Sequence, residues 1–173
     1  MVLSHPITIN LLTFFKTGKF DYLKLGKTKE WILNNFPDPD GDFEKEEYLK
    51  NHVNIWQYWD IELHFYEDRL SCIFSDYWYE WKLTGGKSLK LEKWIFEDIS
   101  KLSLRVVLEA LNSENIDYKK KTEELGILLR LSSGIELTFE NINDVEGMNS
   151  NNYHISSFAL VAEYPNRWAK TNL

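Results

Sequence analysis

Residues 55–79, IWQYWDIELHFYEDRLSCIFSDYWY, decide the fold. Apolar and polar residues alternate on either side of Glu67-Asp68, the pattern of a strand, a tight turn and a returning strand with one buried face. A turn at that dipeptide predicts Phe65 opposite Leu70, Leu63 opposite Cys72 and Ile61 opposite Phe74, an entirely apolar face. The other face then holds Tyr66 with Arg69, His64 with Ser71 and Glu62 with Ile73, followed by Tyr77 and Tyr79. A plain solvent face is richer in Thr, Lys and Glu, so this excess of Tyr and His marks a contact surface, unless a second layer or a second copy covers it. Trp78 is in phase with the buried set and is expected in the core. Tyr58, Tyr77, Tyr79 and Trp81 join the contact set, because Tyr and Trp bring large area with few rotatable bonds.

The rest of the composition bounds what such a sheet can do. With 173 residues, 43% of them apolar and 15% aromatic, the chain suits one domain or two small similar halves. A net charge of -7 repels phosphate backbones and argues against nucleic acid. The one dense basic run, Lys119-Lys120-Lys121, is followed by Glu123 and Glu124 and reads as a solvated strand or loop end. A single cysteine, Cys72, excludes an internal disulfide and fits a reducing, cytoplasmic setting. The first residues lack the pattern of a signal peptide, and no apolar run reaches ~18 residues, so no membrane partner is expected.

Upstream, apolar spacing predicts a helix over 7–16 that leaves through Gly18, and a second that Thr28 caps and Pro37 ends, with Trp31, Ile32 and Phe36 inward. Residues 38–47, DPDGDFEKEE, form a charged connection; Gly41 between Asp40 and Asp42 breaks the EF-hand spacing, so no metal is expected. Gly85-Gly86 marks a boundary between residues 1–84 and 85–173. Beyond it the chain reads as helices over 88–100 and 103–111, strands over 125–131 and 135–139, a polar loop and a last strand over 154–164. A 74-residue shift lays Ile61-Glu62-Leu63-His64-Phe65 on Ile135-Glu136-Leu137-Thr138-Phe139, four of five identical, and the helix over 29–36 on 103–110. The expected fold is α+β, two tandem ααβββ repeats with helix pairs packed on antiparallel sheets.

Leu25-Gly26-Lys27-Thr28-Lys29-Glu30-Trp31-Ile32, followed by Phe36-Pro37 and an aromatic strand pair, resembles the SmpA/OmlA family of small outer-membrane assembly proteins. In that family a Leu-Gly-x-[Ser/Thr] helix entry and a Pro exit precede a three-stranded sheet. The tandem layout is similar to the beta-lactamase inhibitory protein fold, whose two units set their sheets together and present a concave face to a target enzyme. The chain departs from both: it shows no lipid-bearing cysteine and no disulfides, and no inhibitor contact residue maps onto it. The resemblance implies a fold and a style of recognition, and the acidic charge also resembles small bacterial immunity proteins that cover a toxin's active site.

No catalytic or cofactor motif is present. Cys72 with His64 suggests a thiol nucleophile, but the predicted register puts the two on opposite faces. His5, His52, His64 and His154 lack zinc spacing, and Gly85-Gly86-Lys87-Ser88 lacks the first glycine of a phosphate loop. Glu62 and Glu136 occupy equivalent outward positions and offer the alternative of a groove for a small ligand, a carbohydrate or a hydrolytic reaction. The leading expectation is a non-enzymatic, cofactor-free inhibitor or immunity-type module, monomer or homodimer, that binds a basic toxin or enzyme through Tyr58, Glu62, His64, Tyr66, Tyr77, Tyr79, Trp81 and Glu136.

Overall fold

The computed structural model describes residues 6–41, 44–76, 78–124, 126–141 and 152–162. Its main element is a seven-stranded, wholly antiparallel sheet in the order β2-β3-β4-β9-β8-β7-β6. The strands are β2 (Ile55–Tyr58), β3 (Ile61–Tyr66), β4 (Arg69–Asp76), β6 (Tyr118–Glu123), β7 (Gly126–Leu131), β8 (Ile135–Asn141) and β9 (Tyr153–Val161). A separate parallel pair joins β1 (Ile7–Asn10) to β5 (Leu89–Glu92). Four helices, α1 (Leu11–Thr17), α2 (Lys29–Asn35), α3 (Lys45–Tyr48) and α4 (Leu104–Ser113), complete the α+β architecture among the described residues.

Helix starts follow side-chain chemistry. Thr28 and Ser103 each accept the N–H three residues on, capping α2 and α4, and Gly18 closes α1 in the left-handed region at φ 70° with its N–H on the Phe14 carbonyl. Residues 7–10 are strand rather than the start of that helix. Asn10 Oδ1 takes the Thr13 N–H at 2.8 Å, so the helix begins one residue later, and the four residues before it pair with β5. The same pairing overturns the helix expected over 88–100. Leu89–Glu92 is extended, Trp94 sits at φ 51°, and only a short 3-10 turn, Ile99–Lys101, follows.

The second half also holds a strand the periodicity did not announce, β6. Its sequence YKKKTE has no apolar alternation because it is a sheet edge, where exposed lysines deter pairing with another chain. The 61–65 and 135–139 segments both form strands with Ile, Leu and Phe buried in the same phase, and their partner strands β4 and β9 pair with each other. The helix caps, however, are one residue out of step with the 74-residue shift, and among the described residues the second half has one α-helix and five strands where the first has three α-helices and four strands.

One cluster fills the space between the helices and one sheet face. Phe158 of β9 is its hub, with ring centroids of Phe14 at 6.3 Å, Phe15 at 5.4 Å, Phe96 at 5.5 Å and Trp78 at 6.2 Å. Trp78 is buried as expected, and its indole N–H donates to Ser75 Oγ at 2.7 Å. Lys29 is fully buried at the start of α2, where its ammonium donates to the Lys50 carbonyl at 3.0 Å and Asn54 Oδ1 at 3.2 Å, with Asp68 at 3.9 Å. Burial holds its pKa below the usual lysine value, partly opposed by Asp68.

Candidate functional site

Glu67 at φ 46° and Asp68 at φ 65° form the expected tight turn, and Phe65 pairs with Leu70 as the alternation required. Beyond that pair the register changes. Ser71 is an extra residue: its hydroxyl donates to the His64 carbonyl at 3.0 Å, and pairing resumes one step later with His64 opposite Cys72, Leu63 opposite Ile73 and Glu62 opposite Phe74. A bulge of this kind exchanges the faces of everything that follows it. The predicted inward set Cys72 and Phe74 is therefore corrected to Ile73, which is 0% exposed, and Ser75. Cys72 and Phe74 turn to the opposite, half-buried face, and Cys72 stands beside His64 rather than across the sheet from it.

That outer face is continuous across the sheet. Gln57, Glu62, Phe74, Ala159, Glu136, Arg130 and Lys119 lie in one cross-strand row, one residue from each strand. A second row carries Ile55, His64, Cys72 and Val161, and a third carries Asp76, Ser157, Thr138, Leu128 and Lys121. Leu128 is buried and Phe74 half-buried, yet neither belongs to the core cluster. Charge is graded along the sheet, with acids over β3, β4 and β8 and cations over β7 and the β6 edge.

The acidic part is tightly organised. Glu62 Oε2 lies 2.7 Å from His64 Nε2, and the Gln57 side-chain amide donates to Glu62 Oε1 at 3.5 Å. The His64 ring meets Phe74 edge-on at 5.5 Å. Asp76 closes the group: burial, then the charges of Glu62 and Glu140, push its carboxyl above the usual range against the pull of His64. Glu62 and Glu136 share a row but sit on strands three spacings apart, about 14 Å between backbones. Phe74 and Ala159 stand between them. The paired-carboxylate reading needs oxygens roughly 5–9.5 Å apart and gains no support from this arrangement.

The residues expected to bind a partner separate into groups. Glu62, His64, Tyr66 and Glu136 share the outer face, with Tyr66 62% exposed at the hairpin end and Glu136 buried. Tyr58 does not belong to it. Its ring is 0% exposed on the inner face and its hydroxyl donates to the Pro37 carbonyl at 2.8 Å, because Tyr58 pairs with Ile61 and shares that residue's inward direction. Trp81 is half exposed in a 3-10 turn, Tyr79–Trp81, beyond the sheet, and Tyr77 and the Tyr79 side chain lie outside the described residues. Sequence alternation missed Phe74, Cys72 and Asp76, since the bulge that turns them outward leaves no composition signal.

No group of three or more His, Cys, Asp or Glu among the described residues is arranged to hold a metal, and no described helix is long and apolar enough to cross a membrane. The chain matches no known family model, no curated protein and no solved structure.

Proposed function

We propose that this chain is a protein-binding inhibitor or immunity-type module that seats the acidic part of its outer sheet face on a basic partner protein. The observation that carries the reading is a set of apolar and aromatic side chains outside the core, Ile55, Tyr66 and Phe74, surrounding Glu62, His64 and Asp76 on one face. An apolar centre with acids beside it is the composition of a recognition surface: the rings supply buried area, and the charges steer a basic partner and select its orientation. On this reading the two halves are related ααβββ units that place their last strands side by side, as the β3 and β8 echo suggests, to build one wide face. The style of recognition is that of the beta-lactamase inhibitory protein layout and of immunity proteins, with a different target.

Affinity capture from a lysate of the encoding organism tests the proposal. Wild-type protein should retain a basic protein that elutes as salt is raised, and the double variant Glu62→Lys/Tyr66→Ala should lose it while melting within ~2 °C of wild type, since both side chains are outside the core. Capture that survives the double variant, or a retained protein that is acidic, rejects this face as the site.

A further inference from the structure

A second site lies at the opposite kind of surface, the turn between β2 and β3. Trp59 occupies that turn at φ 56°, a left-handed conformation that disfavours a bulky residue, and 63% of its surface is exposed. Neither packing nor backbone preference explains an indole there. Beside it opens a cleft of about 420 Å³ lined by Trp59, Asp40, Thr84, Gly86 and Lys87, within the size range of small-molecule sites.

The cleft is built rather than incidental. Asp60 ties its two walls together, donating its N–H to the Thr84 carbonyl at 3.2 Å and accepting the Thr84 N–H at 2.7 Å on Oδ2. Asp40 Oδ1 takes the Lys87 N–H at 3.1 Å, and the Asp40 N–H binds the Gln57 carbonyl at 2.8 Å. The other carboxylate oxygen, Asp40 Oδ2, is buried without a hydrogen-bond partner. It packs so closely under Gly86, at φ 65°, that a Cβ there would lie 1.5 Å from it. A strained, exposed tryptophan thus stands on one wall of the cleft and a buried, unsatisfied carboxylate oxygen lies beneath the other, and costs of this kind concentrate where a protein binds something.

We propose that this cleft binds a neutral, hydroxyl-rich ring, a saccharide unit, stacked on Trp59. The charges choose the class. A cationic ligand meets Lys87 and an anionic one the nearby charge of Asp40, whereas a neutral sugar is repelled by neither: its hydroxyls donate to Thr84 Oγ1 and accept from Lys87 Nζ. The weakly positive C–H face of such a ring complements the negative face of the indole. This site is independent of the outer sheet face.

Saturation-transfer NMR with methyl glucoside, methyl galactoside, methyl mannoside and N-acetylglucosamine tests it, with arginine amide and methyl phosphate as charged controls. Transfer to at least one sugar is expected. It should disappear in Trp59→Gly, whose melting temperature should equal or exceed that of wild type because glycine suits a positive φ. Lys87→Ala, a change at an exposed side chain, should weaken binding several-fold. The proposal is overturned by absence of transfer to all four sugars, by transfer only to a charged control, or by sugar binding unchanged in both variants.

Discussion

At the scale of single residues, environment rather than identity sets the chemistry. Lys29 and Lys119 are the same amino acid, yet the first is fully buried with its ammonium hydrogen-bonded by two oxygens while the second stands exposed on an edge strand. Asp76 illustrates the same point for acids. Its pKa is raised in the folded protein, so the folded state holds the Asp76 proton more tightly than the unfolded chain does. Its contribution to stability is present below the unfolded value and is lost as pH rises through the folded one. Asp76→Asn is therefore expected to raise the melting temperature at pH 7 by roughly 1–3 °C, and to change it little at pH 3, where the carboxyl is protonated in both states. Thermal melts of the two proteins at both pH values check this, and an equal shift at both would remove the burial of the Asp76 charge, with its repulsion from Glu62 and Glu140, as the cause.

At the scale of elements, strand β4 carries the decisive irregularity. Alternation predicted both strands of the hairpin and its turn, and correctly buried Leu63, Phe65 and Leu70. It failed from Ser71 to the end of β4, because one extra residue accommodated by a hydroxyl-to-carbonyl bond reverses the direction of every later side chain in that strand. Truncation separates the two registers by equilibrium denaturation. Ile73→Ala should cost about 2–5 kcal/mol as a core deletion, and Cys72→Ala less than about 1 kcal/mol as a change on the half-buried outer face. The opposite ranking would restore the regular register. Similar reasoning explains the missed β1 and β5, since a four-residue parallel pair gains its stability from a partner some eighty residues away in sequence.

At the scale of the whole molecule, the sheet is assembled by the contact between β4 and β9, and Phe158 of β9 packs on Phe14 and Phe15 of α1, on Phe96 and on Trp78. Removing that ring should cost about 3–5 kcal/mol, and Phe158→Ala should still unfold in one transition whether followed by tryptophan fluorescence or by far-UV dichroism. Two separated transitions would show that the halves hold together independently. The sequence by itself determined what depends on near neighbours: the cap at Thr28, the Gly18 exit, the Glu67-Asp68 turn, the buried phase of the 61–65 and 135–139 strands, and an α+β chain with antiparallel pairing. Only the tertiary structure decided the rest. The joining of β4 to β9, the bulge at Ser71, the burial of Tyr58 and the cleft between Trp59 and Lys87 all rest on contacts between residues distant in the chain or on one-residue register choices. Local periodicity carries no information about such choices, because the energies that settle them come from packing between elements.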